Sequence, residues 1–269
     1  MRSDIARFRK IVYGHFKRHG RNFPWRFPSL KKSKEGTLDP YKIMVSEIML
    51  QQTQAERAAR FYVAFLGRFP NVGALAAARE KEVLRAWQGL GYNRRALYLL
   101  RAARIICRDY AGKIPSDIAS LTSLPGIGKN TAGAIRAFAF DLPATFIETN
   151  IRRAFIHYFF PRRRSVSDEE LMPLIEAAQD RKHPRRWYSA LMDYGAHLPK
   201  NGQNHNRKSA HYRRQAAFSG SRRELRGKML KLLLQKPRLG DTALSRLLER
   251  DLKEVRQARA ALRKEGFGI

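Results

Sequence analysis

One stretch constrains this chain more than any other: Leu124-Pro125-Gly126-Ile127-Gly128-Lys129-Asn130-Thr131-Ala132. Pro125 presets one turn dihedral, and Gly126 and Gly128 carry no Cβ to hold an anion away from the backbone amides. The apolar, alanine-rich run from Thr131 to Phe140 reads as a helix, so its N-terminal dipole and the charge of Lys129 face the same anion. A bare Gly-x-Gly serves equally well as a tight turn or a helix cap. Charge favours the anion site: 54 Lys and Arg stand against 23 Asp and Glu, a formal net charge of +31. Such an excess predicts a polyanionic partner whose binding weakens as salt rises.

With 269 residues and 43% hydrophobic content, the chain has material for one large domain or two smaller ones. Its single cysteine, Cys107, lies in the run Ala102 to Cys107 and reads as a buried small hydrophobe. One thiol excludes a disulfide framework and a four-thiolate metal site. His205 and His211 lack partners at zinc spacing. No run approaches the ~20 apolar residues of a membrane span, and the charged N-terminus has no signal core, so a cytoplasmic, nucleoid-associated location is expected.

Helical periodicity dominates. Ile5, Phe8, Val12 and Phe16 define a first amphipathic helix, and Phe27 to Pro40 reads as an exposed basic loop. Tyr41 to Leu66 supports one or two buried helices, with Gln51 one helical turn beyond Glu47. Further helices are expected around Leu75 to Ala78, Val83 to Trp87, Ala96 to Tyr110, Ile151 to Phe160, Leu171 to Ala178 and Trp187 to Leu198. Pro199 to Gln215 reads as a basic connector. From Ser219 onward, three short helices and an aromatic strand stub at Gly266-Phe267-Gly268-Ile269 have the layout of a winged-helix module, or of a plain three-helix cap.

Four places carry candidate chemistry. Glu47, between Val45 and Ile48, is a carboxyl costly to bury without a partner or a task, and a structural hydrogen bond is the alternative. The amides of Gln51, Gln52 and Gln54 beside it suit contact with a nucleobase. Tyr92, on the turn Gly89-Leu90-Gly91-Tyr92, is either a wedge for a base stack or core packing. Glu148 or Asn150 stands at the start of the helix from Ile151, where a carboxylate is stabilised in its charged form or acts as an ordinary cap.

Taken in order, Pro40-Tyr41-Lys42, Val45-Ser46-Glu47-Ile48-Met49-Leu50-Gln51-Gln52-Thr53-Gln54, Gly89-Leu90-Gly91-Tyr92, Leu124 to Lys129 with Thr131 to Ile135, and Ala190-Leu191-Met192-Asp193-Tyr194-Gly195-Ala196 resemble the adenine branch of the endonuclease-III-like helix-hairpin-helix DNA glycosylases. The resemblance spans roughly residues 20 to 200. It implies an all-α, two-lobed fold: a discontinuous lobe of 1–39 and 146–215 and a helical lobe of 40–145 with the hairpin; the helical, winged-helix-like module of 219–269 read above lies beyond it. It makes Glu47 the general acid, Glu148 the counterpart of an aspartate that stabilises the sugar, and Asn150 its companion. Tyr92 becomes an aromatic near the lesion, and Gln51 and Gln52 become glutamines inserted into DNA. Gly126, Gly128, Lys129 and Thr131 become phosphate contacts.

Asn130 occupies the position where bifunctional relatives carry a nucleophilic lysine, which implies no lyase step. The four cysteines of the usual iron–sulfur cluster, which the resemblance puts just after Ala196, are missing, so no cofactor or metal is expected. The resemblance implies a monomeric, monofunctional glycosylase acting on double-stranded DNA with a mismatch or lesion, its first substrate adenine opposite 8-oxoguanine or guanine. Thymine or uracil opposite guanine, and hypoxanthine, are the alternatives. A non-catalytic DNA-binding protein is the alternative of another class.

Overall fold

A computed structural model describes residues 2–26, 38–201, 204–214 and 217–268. Among them the chain forms fourteen α-helices: α1 Arg2–His19, α2 Pro40–Leu50, α3 Ala55–Arg68, α4 Val72–Ala77, α5 Glu80–Trp87, α6 Arg94–Asp109, α7 Ile118–Ser123, α8 Lys129–Phe140, α9 Thr149–Phe159, α10 Asp168–Ala178, α11 Pro184–His197, α12 Arg222–Gln235, α13 Asp241–Leu248 and α14 Leu252–Lys264. No ladder longer than one parallel bridge, Val166 with Ser209, occurs among the described residues. The fold is all-α. The loop expected from Phe27 to Pro40 lies mostly outside the described residues.

Contacts divide the chain into two units, 1–48 with 114–213 and 49–113 with 214–269. This grouping differs from the boundaries read from sequence: residues 114–145, hairpin included, pack with the terminal segments, and residues 214–269 join the segment 49–113.

In the first unit α11 is the centre, packed by α1, α8 and α9. Phe8 of α1 is fully buried, with ring centroids 4.9 Å from Phe155 and 6.1 Å from Trp187. The buried stripe of α1 runs Ile5, Phe8, Val12, His15. The expected Phe16 is displaced because a 3.6-residue period allows either a three- or a four-residue step after Val12, and packing selects three. Helix α8 approaches the extended chain before α9 closely, since a Cβ on Gly133 would lie 2.8 Å from the Phe146 Cβ. Arg185 of α11 caps the C-terminus of α8, donating to the carbonyls of Phe138 (2.6 Å) and Ala139 (3.0 Å).

In the second unit, α4 and α5 pack on α6, with Phe65 and Trp87 in edge contact at 5.7 Å. Helices α12, α13 and α14 enclose Met229, Leu233, Leu244, Val255 and Leu262. The expected strand stub is not formed. Phe267 folds back with 3% exposure and its N–H donates to Leu262 O at 3.1 Å, because burying the ring outweighs an unpaired strand edge. The module is a three-helix cap without a wing among the described residues. Arg85 of α5 anchors it through Leu234 O at 3.0 Å. Cys107, expected to be buried, is only half-buried on α6, because the helix face that packs inward carries Ala102, Ala103 and Ile106 instead.

Candidate active site

Helix α2 carries Glu47 between buried Ser46 and Ile48, while Glu47 itself keeps partial exposure. Burial above all, with the charge of Glu148 adding to it and Arg26 opposing, pushes its carboxyl up to about 8. Arg26 is held by Asp193, whose carboxylate also takes Arg21; the two contacts are each 2.7 Å and the Asp193 side chain is fully buried. Residues 21–26 are therefore tied to α11.

Glu148 is the N-cap of α9, in extended backbone conformation. Its Oε1 accepts from the backbone N–H groups of Asn150 (2.9 Å) and Ile151 (3.1 Å), and Oε2 takes a longer 3.4 Å contact from Asn150 Nδ2. Burial raises its pKa, and these donors with Arg153 work against that rise. Two carboxyls that oppose each other's ionisation share one proton most cheaply on the member with fewer donors. Three donors stabilise Glu148 as the anion, so the proton belongs on Glu47. The cap and the functional candidate are the same group.

Asn150 is fixed in turn: its Oδ1 accepts from Arg153 Nη1 at 3.0 Å, and that nitrogen also reaches Gly195 O at 2.7 Å. Gly195 lets α11 come this close, because a Cβ there would lie 2.1 Å from Asn150 O. Asn130 Oδ1 accepts from Ile147 N at 3.2 Å, which ties the start of α8 to the residue before Glu148. Glu47, Glu148, Asn150 and Asn130 thus belong to one unit.

The hairpin is α7, the turn 124–128 and α8. Leu121, Leu124 and Ile127 bury its inner side, and Gly126 sits at φ +80°, where a side chain would be strained. Gly128 is extended and caps α8 with no side chain, and the space a Cβ would take is open. Gly128 and Lys129 are exposed, and Thr131 follows at the first turn.

Gln51, Gln52 and Tyr92 lie in the other unit. Helix α2 ends at Leu50, so Gln51 sits in a turn rather than on the helix, and Gln52 takes φ +55°. The residue that shapes this turn is Arg95, which sequence reasoning passed over as one of two arginines after Tyr92. Arg95 is 7% exposed and donates to the carbonyls of Met49 (2.8 Å), Gln51 (2.5 Å) and Gly91 (2.9 Å), and to Thr53 Oγ1 (3.1 Å). Burial lowers its pKa to about 10, so it stays charged at neutral pH. Only an arginine has enough donors in a plane to satisfy these acceptors together. Replacing Arg95 by methionine, which keeps the apolar stem, is expected to cost about 3 kcal/mol by leaving several buried carbonyls unpaired. Urea unfolding at equilibrium measures this, and a loss under ~1 kcal/mol would show that the clamp matters little.

A four-cysteine iron–sulfur cluster does not fit the residues after Ala196. The segment after Ala196 holds no cysteine, and Cys107 is on α6. Residues 204–212 are instead stitched to α9 and the α9–α10 loop: Val166 N donates to Lys208 O (2.8 Å), Ala210 N to Val166 O (2.9 Å), and His157 Nδ1 of α9 meets His205 Nε2 at 2.9 Å. Among the described residues no group of three or more His, Cys, Asp and Glu is placed to hold a metal ion, and no helix is long and apolar enough to cross a membrane.

A family model described as HhH-GPD superfamily base excision DNA repair protein matches residues 45–177. The adenine DNA glycosylase of Mycolicibacterium smegmatis is 35% identical over 79% of this chain and 75% of its own length. That of Buchnera aphidicola subsp. Baizongia pistaciae is 37% identical over 68% of this chain and 50% of its own. A solved thermostable thymine-DNA glycosylase superposes with a TM-score of 0.61 at 25% identity, covering 72% of this chain and 87% of that one. The chain belongs to the HhH-GPD superfamily of base excision DNA repair proteins. It spans about half the length of several of the curated relatives it matches.

Proposed function

We propose that the chain is a monofunctional DNA glycosylase that flips adenine, opposite 8-oxoguanine or guanine, out of duplex DNA and hydrolyses its N-glycosidic bond. The pairing of a protonated Glu47 with a hydrogen-bonded Glu148 carboxylate carries this reading. Glycoside hydrolysis asks for those two states: an acid for the leaving group and a negative group for the oxocarbenium-like sugar. Glu47 delivers its proton to a ring nitrogen of the leaving base as the C1′–N bond breaks. Glu148 stabilises the sugar cation and takes a proton from the water that adds to C1′. Asn150 holds Glu148 through the 3.4 Å contact. The backbone of Gly126 to Lys129 grips the phosphates without reading sequence.

The names of the relatives favour adenine over thymine and hypoxanthine. A panel of duplexes with adenine opposite 8-oxoguanine or guanine, thymine or uracil opposite guanine, and hypoxanthine opposite thymine, treated with alkali after incubation, tests it. Adenine pairs are expected to yield abasic strands. Release of thymine or hypoxanthine with adenine untouched would overturn the substrate, and no release from any duplex would leave a DNA-binding protein.

The abasic strand is expected to stay intact until alkali or heat, because the amide of Asn130 is not a nucleophile. Borohydride should therefore trap little covalent adduct. A strong adduct that persists in Asn130→Ala would show that another amine, Lys129 first, performs lyase chemistry. The protein is proposed to work iron-free, which a 400 nm absorbance band would contradict.

A further inference from the structure

Three imidazoles meet where the end of α1 packs on the end of α11. His15 and His19 stand one turn apart on α1, and His197 is the last residue of α11. The His15 ring centre lies 5.1 Å from that of His19 and 4.7 Å from that of His197, while His19 and His197 stack at 6.0 Å with their planes 4° apart. Tyr194 of α11 meets the His15 ring edge-on at 5.6 Å. His15 is 8% exposed, and neither of its ring nitrogens has a hydrogen-bond partner among the described residues. Buried polar atoms without partners are rare in native proteins, because each gives up its bonds to water for nothing in return.

A neutral imidazole brings one N–H into this site, and an imidazolium brings two together with a full charge. The surroundings are poorly suited to receive it. Arg18 and His19 face His15 from its own helix, and Asp193, Tyr194 and His197 face it from α11. Helix α9 and the chain after α10 meet α1 nearer its N-terminus, with Tyr158 on Phe8 and Asp180 on Tyr13. Asp193 is the one carboxylate among the groups facing His15, and it already accepts from Arg21 N (2.8 Å), Arg21 Nε (2.7 Å) and Arg26 Nη1 (2.7 Å). Burial above all, with the charges of His197 and His19 adding to it, holds the His15 imidazole below its ordinary value of 6.5, and Asp193 works against this. His19 is exposed, so the cluster meets solvent protons directly.

We propose that the three histidines form an acid-triggered latch, which holds the end of α1 and residues 20–26 on α11 at neutral pH and releases them when the cluster takes up protons. Imidazole is the side chain whose charge changes between about pH 5 and 8. Charging any two of these rings sets like charges side by side, and the carboxylate beside them is committed to two arginines. His15 binds its proton less readily in the folded protein than in the unfolded chain, so the latch is intact above about pH 6.5 and weakens as pH falls. Residues 20–26 follow directly on His19 and carry Arg26, whose charge bears on Glu47. Release unties this segment from the Glu47 site, so base release slows in acid. That consequence rests on the function proposed for Glu47, whereas the latch itself does not.

Hydrogen–deuterium exchange on the full chain without DNA tests the latch peptide by peptide. After correction for the chemical exchange rate, the amides of residues 17–26 in wild type are expected to open about tenfold more at about pH 5.5 than at about pH 7.5, the change that one proton bound to the open form gives per pH unit. His15→Leu, uncharged and of similar size, should open equally at both. His197→Gln removes a neighbouring charge without entering the core, and it should cut the difference to about threefold or less. Burial also holds His157 and His205 low, but their acid opening falls on other peptides. Exchange of residues 17–26 that ignores pH in wild type would overturn the latch, as would His15→Leu opening in acid like wild type. Should His15→Leu fail to fold, the same outcome in His197→Gln decides against it. Single-turnover base release at the two pH values supplies the second arm, in which His15→Leu is expected to lose less rate in acid than wild type. A wild type that opens in acid yet releases no base at either pH would overturn the glycosylase reading and leave the latch standing.

Discussion

Replacing Glu47 by glutamine is expected to slow base release by roughly 10²- to 10⁴-fold, the range for losing a general acid, with duplex affinity little changed. Glutamine keeps the volume and removes the proton. The pH profile supplies an independent readout. The acid must be protonated, and its carboxyl is pushed up to about 8, so the wild-type rate should fall as pH rises through about 8. That limb should vanish from whatever residual rate Glu47→Gln retains. Single-turnover kinetics from pH 6 to 9 measures both, and an undiminished rate in the variant would remove Glu47 from the mechanism.

Stability should move the opposite way. Glu47 has an ordinary value of 4.5 and a raised value in the folded state, so the folded protein holds this proton more tightly than the unfolded chain. The stability this supplies is complete below about pH 4.5 and is lost as pH climbs to about 8. Glu47→Gln should therefore be more stable than wild type near pH 8, by a margin that shrinks toward pH 4.5. Thermal unfolding at the two pH values checks the sign.

Gly195→Ala is expected to destabilise the protein by about 3 kcal/mol or more, a drop of roughly 10 °C in Tm. The added Cβ would meet three backbone atoms of Asn150, at 2.1, 2.6 and 2.9 Å, and backbone cannot rotate aside as a side chain can. Any relief must move α11 from the start of α9. That motion breaks the Arg153 bridge from Gly195 O to Asn150 Oδ1 and loosens the cap on Glu148. Activity should consequently fall even at temperatures where the variant remains folded. A variant with wild-type Tm and rate would show that the approach of α11 is not required.

Much of the site was legible because its residues break local rules. A glutamate inside Ile-Met-Val-Ser-Glu-Ile-Met-Leu and a doubled glycine before an alanine-rich helix conflict with plain folding, and such conflicts mark function. Arg95 was not legible. Arginine after a turn is ordinary on a surface, and only the meeting of residues 49–53 with 91 in space turns it into a buried clamp. The same holds for Asp193, Arg21 and Arg26, which are joined across more than 160 positions in sequence.

The sequence by itself determined the helical class, the places of most helices, the hairpin and the two carboxyls. Those features depend on periodicity, caps and turn chemistry, which act over a few residues. Tertiary structure alone decided that α1 buries His15 in place of Phe16, that Phe267 folds into a three-helix cap, that Glu148 caps its own helix while raising the pKa of Glu47, and that Arg223 reaches Tyr92. Each of these depends on groups distant in sequence brought within a few ångströms. There desolvation and close packing act, and neither leaves a trace in local sequence pattern.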